Sequence, residues 1–174
     1  MIIQPFSLHY LNTLTREDFI QALTPLFEGP PWIVAEAWYT RPFQTRAAFY
    51  TTLCTIMQQA PLEKQIALLR SHPDLVGRAA LAGRLSSAST SEQASAGLDK
   101  LSTAEITMFT QLNRAYWDRF DFPFIICVRE NKKESILSGF ATRLNNTREQ
   151  EIAHALQEVA KICALRLQDL VQEQ

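Results

Sequence analysis

The chain has few of the residues that several common kinds of site require. Its 174 residues include five glycines, three cysteines and three histidines. With so few glycines, and with neither a GxGxxG nor a GxxxxGK pattern, a phosphate-binding loop is not expected. The histidines (His9, His72 and His154) show no HxxxH or HExxH spacing, and the cysteines show no CxxC spacing. The sequence therefore predicts no metal site.

The charge and the hydrophobicity of the chain argue against a nucleic-acid-binding protein and against a membrane or secreted protein. The formal net charge is −1 at pH 7, whereas nucleic acid binding needs a basic face, so no nucleic acid partner is expected. There is no run of 18 apolar residues, and MIIQPFSLHY lacks the features of a signal peptide, so we expect neither a membrane span nor secretion. Cys54, Cys127 and Cys163 lie among apolar residues, which is typical of reduced, buried thiols. Together these features predict a cytoplasmic protein.

Apolar residues recur with helical spacing along most of the chain, and 47% of all residues are hydrophobic. This pattern predicts an all-α fold, a single domain over residues 1–174 with about eight helices. The predicted helices cover residues 15–28, 32–39, 45–59, 61–70, 76–85, 91–98, 103–120 and 135–145, with a last helix from about 148. Ser102 and Glu105 fit a capping box at the start of the long helix.

One apolar stretch has no helical period. Phe122–Val128 is headed by Pro123 and partly β-branched, so we expect a buried extended segment near residues 122–128. Its backbone N–H and C=O groups need partners other than a neighbouring strand. A bound small molecule rich in amide-like groups is one candidate partner.

The first candidate for chemistry is His72, in Ser71-His72-Pro73-Asp74-Leu75-Val76-Gly77. Pro73 breaks the preceding helix, which puts His72 just past a helix end. There the imidazole either terminates the helix through a hydrogen bond or acts as an acid/base group near neutral pH. Asp74 either orients that ring or caps the following turn.

The second candidate is the polar stretch Ser89-Thr90-Ser91-Glu92-Gln93. Either Ser89 with Glu92 or Thr90 with Gln93 fits the capping rule, so a purely structural role is open. The free N–H groups of a helix start also suit a substrate carboxylate or amide oxygen, with Glu92 facing the ligand.

Two arginines flank the apolar seams of the last helices. Arg166 lies three residues after Cys163, and Arg143 lies seven residues after Ile136. An arginine on an inward flank needs a partner, which is either a structural carboxylate or a ligand.

These motifs together resemble a known family. His72-Pro73-Asp74-Leu75 followed by Gly77, then Ser89-x-x-Glu92-Gln93, Leu112-Asn113-x-Ala115-Tyr116 and Phe122-Pro123-Phe124-Ile125 are similar, in order and spacing, to 2-oxo-4-hydroxy-4-carboxy-5-ureidoimidazoline (OHCU) decarboxylases of the uric acid pathway. The resemblance extends from Pro31-Trp32 to Leu165-Arg166-Leu167. One departure is Asp121, which stands where the family usually has glycine. If that position needs a positive φ, aspartate tolerates it better than most residues.

The resemblance implies a cofactor-free decarboxylase that converts OHCU to (S)-allantoin, in an all-helical fold that commonly forms homodimers. It implies His72 as the catalytic histidine and Glu92 as its partner acid. The substrate-binding residues it implies are Pro73, Ser89, Thr90, Ser91, Gln93, Phe124, Ile125, Ile126, Cys127, Val128 and Arg166, with Arg143 a less close match than Arg166.

Two other classes stay open. One is a non-catalytic helical module for ligand binding or assembly in the ureide pathway, which is expected to lack His72 or Glu92. The other is a hydrolase of the same pathway, a class that usually needs a metal site.

Overall fold

The computed structural model describes residues 5–172, apart from the side chain of Ala79. The all-α prediction is confirmed. In chain order, the helices are α1 (Leu8–Thr13), α2 (Arg16–Leu23), α3 (Trp32–Ala37), α4 (Arg46–Gln59), α5 (Leu62–Arg70), α6 (Arg78–Leu81), α7 (Ser87–Ser95), α8 (Thr103–Phe120), α9 (Lys133–Arg143) and α10 (Arg148–Leu170). Short 3-10 helices lie at Thr24–Leu26, Trp38–Thr40 and Val128–Glu130. None of the helices in the described range has the length and apolar character of a membrane span.

The predicted and observed elements differ mainly in the short ones. The capping box of α8 forms as expected, since Ser102 Oγ accepts from the Glu105 amide and the Glu105 carboxylate accepts from the Ser102 amide at 2.8 Å. Helix α1 and the parallel pair of two-residue strands, β1 (Phe6–Ser7) and β2 (Val171–Gln172), were not predicted. Both strands are too short to show a period in the sequence.

The chain divides into two compact units. The first comprises the described residues up to Leu68 and those from Ala160 onward, and the second comprises Leu69–Val159. The boundaries fall within α5 and α10. The assignment of residues 1–174 to a single domain stays a prediction.

The first unit contains a small aromatic cluster. The ring centroids of Phe43 and Phe49 lie 4.3 Å apart, and Phe19 packs against both. Cys163 is fully buried in α10, and burial raises the pKa of its thiol. Such a thiol stays protonated at neutral pH and has little nucleophilic character.

The second unit is organised around the ring of Tyr116 in α8. That ring makes edge contacts with Phe122, Phe124 and Phe140, and Phe124 stacks on Phe140 with centroids 3.8 Å apart. Large aromatic groups bury much surface per residue, so this cluster is a strong anchor for the segment that carries Phe122 and Phe124. The cluster fixes the position of that segment beside α8 and α9.

Candidate functional site

The segment after α5 has the geometry that its proline predicts. Helix α5 ends at Arg70, and the amide of His72 makes one more turn-type bond, to the carbonyl oxygen of Leu69 at 3.2 Å. Pro73 has no N–H to continue the helix. The side chain of His72 is mostly buried, with 9% of the residue exposed. The prediction that His72 lies just past a helix end is confirmed.

Three consecutive residues after Pro73 are each tethered to a helix. Trp117 Nε1 donates to Asp74 Oδ1 at 2.8 Å, and Asn113 Nδ2 donates to the Leu75 carbonyl oxygen at 2.8 Å. The amide of Val76 donates to Gln93 Oε1 at 3.2 Å. The first two tethers come from α8 and the third from α7. The segment His72–Gly77, called the His72 loop below, is therefore held on two sides.

The side chain of Asp74 does not cap the following turn, which was one of the two alternatives for it. Helix α6 begins after Gly77 without a side-chain cap, and the carboxylate of Asp74 bonds instead with the indole of Trp117. Only the backbone of Asp74 serves the turn, since its carbonyl oxygen accepts from the Gly77 amide at 3.3 Å.

The His72 loop is strained, which explains why it needs tethers. Val76 is a β-branched residue with φ of +53°, a conformation that such residues rarely adopt. At Gly77 an added Cβ would lie 2.6 Å from Asp74 Cβ, so only glycine fits. A strained backbone conformation such as that of Val76 costs about 1–3 kcal/mol, and a hydrogen bond contributes about 0.5–1.5 kcal/mol. The stabilising free energy of the three tethers is thus comparable with the free-energy cost of the strain.

Helix α7 begins earlier than the sequence suggested. Its N-cap is Ser86, whose Oγ accepts from the Ser89 amide at 3.1 Å, so neither predicted pairing (Ser89 with Glu92, Thr90 with Gln93) is the cap. The Thr90 amide donates to the Ser86 carbonyl oxygen at 2.9 Å. The amides of Ser89 and Thr90 are therefore occupied by the helix itself. A run of serines offers several equivalent caps, which is why the sequence could not choose among them.

The side chains of α7 divide into an inward and an outward face. Ser89 and Gln93 are buried, Glu92 is half-buried, and Thr90 and Ser91 are exposed. Spacings of three and four residues place Ser89, Glu92 and Gln93 on one face. Of the five predicted residues in this stretch, the structure turns these three inward. The bond between Gln93 and Val76 joins that face to the His72 loop.

The extended segment lies beside α7 and is buried as predicted. Helix α7 packs against Val128–Glu130, the 3-10 turn that ends the segment. The Ile125 carbonyl oxygen accepts from Arg143 Nη1 at 2.6 Å, and the Cys127 amide donates to Glu158 Oε2 at 2.8 Å. The Cys127 carbonyl oxygen accepts from Asn131 Nδ2 at 2.9 Å. Side chains thus replace the neighbouring strand that the segment lacks.

Asp121, which stands where the family usually has glycine, has the positive φ that was considered for this position. Asp121 ends α8 with φ of +64°, a left-handed conformation that aspartate tolerates. Its carboxylate forms an ion pair with Arg70, and its carbonyl oxygen accepts from Arg70 Nε at 2.9 Å. The chain therefore enters the extended segment through a normal helix end.

The two candidate arginines both have structural partners. Arg143 is 4% exposed, donates through Nε to Glu151 Oε1 at 2.6 Å, and lies over the ring of Phe124 at 4.4 Å. Arg166 donates to Glu28 Oε1 and to the Pro25 carbonyl oxygen, each at 3.1 Å, within the first unit. A role of Arg166 in substrate binding stays a prediction.

Two further observations bear on the chemistry. Burial raises the pKa of the Cys127 thiol to about 11, so this residue of the predicted site is not a nucleophile at neutral pH. In the described residues, no three His, Cys, Asp or Glu side chains are grouped to hold a metal ion.

A cavity of about 430 Å³ adjoins the His72 loop. Val76, Thr90 and Gln93 line it together with mainly apolar residues of α6, of the loops before and after α7, and of the start of α8, while His72 and Glu92 are not among its described lining residues. Its wall therefore includes the Val76–Gln93 bond.

The sequence reasoning gave no role to two residues that matter for the loop, Asn113 and Trp117, although Asn113 lies in one of the motifs of the resemblance. Asn113 lies on the apolar seam of α8, four residues after Phe109 and three before Tyr116, and it is 6% exposed. A polar residue on a buried seam needs a partner, and this pattern was the available sign of its role.

Comparison with known proteins connects this arrangement to a family. The sequence model for OHCU decarboxylase matches residues 12–168. The 2-oxo-4-hydroxy-4-carboxy-5-ureidoimidazoline decarboxylase of Amia calva is 39% identical over 162 residues, which are 93% of this chain and 93% of that protein.

Solved structures give the same result for the fold. The crystal structure of (S)-allantoin synthase has a TM-score of 0.74 and 25% identity, and the match covers 97% of this chain and 54% of that longer chain. A crystal structure of OHCU decarboxylase in the presence of (S)-allantoin has a TM-score of 0.68 and 21% identity, covering 88% and 96%, which supports the fold alone.

Proposed function

Because this chain belongs to the OHCU decarboxylase family, we propose that it is a carboxy-lyase that converts OHCU to (S)-allantoin in uric acid degradation. The observation that carries the proposal is the joining of the family's motifs in the second unit. The His72 loop is bonded to the inward face of α7, and α7 packs against the end of the extended segment. The inward face of α7 carries Glu92.

The reaction sets clear demands on the protein. Loss of CO2 leaves an electron pair on carbon, and the conjugated C=N and C=O groups of OHCU can accept that pair, so the substrate acts as its own electron sink. The protein has to hold the carboxylate out of the ring plane, stabilise the developing negative charge and deliver a proton to one face. We expect the site to do this without a cofactor.

His72 is the proposed principal acid/base group. An imidazole exchanges protons near neutral pH, and a mostly buried ring on a tethered loop keeps a fixed direction. Acid/base catalysis by a positioned side chain is worth roughly 10²–10⁴-fold in rate. Pro73, the residue after His72, is also proposed to contact the substrate.

Glu92 is proposed to orient either the substrate or the ring of His72. Its neighbours on the inward face, Ser89 and Gln93, are buried and are proposed to contact the polar groups of the substrate. Thr90 and Ser91 are exposed, so their predicted role in substrate binding has less support from the burial pattern.

The main chain of the extended segment is proposed to form hydrogen bonds with the ureido and ring groups of the substrate. Its bonds to Arg143, Glu158 and Asn131 use groups of Ile125 and Cys127. The main-chain groups of Phe124 and Ile126, which these bonds do not use, are the proposed contacts, with Val128 at the end that touches α7.

Four finer assignments stay proposals: the role of Arg166 and the homodimer are implied by the family resemblance, and the single domain and the cytoplasmic location come from the sequence pattern. Arg166 is proposed to help bind a carboxylate, residues 1–174 are proposed to form one domain, and the protein is proposed to be a cytoplasmic homodimer. Arg166→Lys, which keeps the charge but loses the planar fork, tests the first through KM. Light scattering of the purified protein tests the oligomeric state.

The experiment for the main proposal supplies freshly generated OHCU and follows the circular dichroism of the allantoin that forms. Catalysis predicts optically active (S)-allantoin, produced faster than by the uncatalysed decay, which has no chiral preference. Binding of OHCU without faster turnover would instead support the non-catalytic module.

A further inference from the structure

Asn113 stands out among the buried polar side chains of the second unit. It is 6% exposed, and its Nδ2 donates to the Leu75 carbonyl oxygen at 2.8 Å. The acceptor fixes the orientation of the amide, because a flipped amide would place two oxygens against each other. With that orientation, Oδ1 is buried and has no hydrogen-bond partner among the described residues.

An unpaired buried oxygen costs stability, so the packing of α8 alone does not explain an asparagine here. Leucine would fill similar space without a buried polar atom. What leucine cannot supply is the donor to Leu75, three residues after His72. Asn113 is also one helical turn before Trp117, whose bond to Asp74 serves the same loop.

We propose that Asn113 is a positioning residue for the decarboxylation, which fixes the direction of the His72 imidazole by holding the Leu75 carbonyl oxygen. It acts through the loop and does not contact the substrate. This inference rests on the proposed function, because it concerns how His72 is aimed during that reaction. The proposal also explains why an asparagine with an unpaired Oδ1 lies at this position, because its Nδ2 is needed as the donor to Leu75.

Two substitutions separate positioning from simple packing. Asn113→Leu removes the donor and also the unpaired oxygen, so its losses and gains in stability partly cancel. We expect kcat to fall by roughly 10–100-fold, as for a displaced catalytic group, with KM within about twofold and little change in Tm.

Asn113→Asp is the second variant and keeps the shape of the side chain. An ionised carboxylate cannot donate to Leu75, but a protonated one can, and burial favours the protonated form. The ratio of variant to wild-type kcat should therefore rise as the pH is lowered, and taking the ratio removes the titration of His72 itself. Asn145→Asp is the matched control, because exposed Asn145 also donates an amide to a carbonyl oxygen, that of Ala141 at 2.9 Å. It should keep wild-type kcat at every pH.

The outcomes are distinct. A fall in kcat with preserved KM and Tm, together with recovery of Asn113→Asp at low pH, supports the inference. Unchanged kcat in both variants, a rise in KM alone, or a loss of kcat that only follows the loss of folded protein overturns it. Wild-type protein without activity on OHCU would instead overturn the proposed function, and that measurement comes first.

Discussion

The amide of Val76 donates a hydrogen bond to the side-chain oxygen of Gln93, 3.2 Å away. This bond joins two motifs that are 17 residues apart in the sequence, the His72 loop and the inward face of α7. Val76 also has φ of +53°, a conformation that β-branched residues rarely adopt. The strained residue of the loop is thus the same residue that contacts α7.

Glu92→Gln distinguishes a catalytic from a structural Glu92. Ser86 is the N-cap of α7, so Glu92 does not cap this helix and its replacement by glutamine does not remove a cap. We expect kcat to fall by roughly 10²-fold or more with Tm unchanged. Glu134→Gln, at an exposed position of α9, removes the same charge and should leave kcat as it is. Wild-type turnover in Glu92→Gln would leave Glu92 without a catalytic role.

Gly77→Ala tests the rigidity of the His72 loop. The new Cβ would meet Asp74 Cβ at 2.6 Å, so the loop has to move. We expect a loss of roughly 1–3 kcal/mol in the free energy of unfolding and a clear fall in kcat.

Gly83→Ala is the control for Gly77→Ala. Gly83 has φ of +64° and open space around it, so alanine there costs roughly 1–2 kcal/mol without a clash. Similar Tm losses with turnover reduced only in Gly77→Ala are expected. Equal turnover in the two variants would mean that the shape of the loop does not matter for catalysis.

Arg143 is expected to stabilise the extended segment. Its partner Glu151 is completely buried and also bonds with Tyr116 and with Asn146 Nδ2, the latter at 2.7 Å. Arg143→Met leaves that carboxylate without its cation and should cost roughly 3–5 kcal/mol in urea unfolding. Adding Glu151→Leu should recover much of this loss, since an apolar pair avoids the unpaired charge. A double variant that is less stable than Arg143→Met would contradict this account.

The Glu105 carboxylate gives a prediction for pH. Its hydrogen bonds to Lys133 and to Ser102 lower its pKa to about 2 in the folded protein, from an ordinary value near 4.5. A lowered folded-state pKa stabilises the fold fully above about pH 4.5, and the contribution disappears as the pH falls towards 2. Glu105→Gln keeps a capping side chain, so the Tm difference from wild type should shrink between pH 5 and 2 when measured by calorimetry. A difference independent of pH would contradict the assignment.

Sequence reasoning located the motifs better than it located their contacts. The position of His72 after α5 and the capping box of α8 followed from local rules, because Pro73 and the pair Ser102/Glu105 act within a few residues. The buried extended segment followed from its apolar composition. These features depend on neighbours in the chain.

The contacts that build the site are non-local and were not predictable in the same way. Asn113 and Trp117 reach residues 38 and 43 positions away in the chain, and no local pattern specifies such a pairing. The cap of α7 was missed because several serines satisfy the same rule. The positive φ of Val76 runs against its intrinsic preference, so only the surrounding contacts explain it.

The most direct test is turnover of freshly generated OHCU by His72→Asn, followed by the circular dichroism of (S)-allantoin. His9→Asn, at an exposed position of α1, serves as the control. Loss of His72 should lower the rate by at least roughly 10²-fold while Tm and the far-ultraviolet spectrum stay at their wild-type values. A folded His72→Asn protein that forms (S)-allantoin at the wild-type rate would contradict the account.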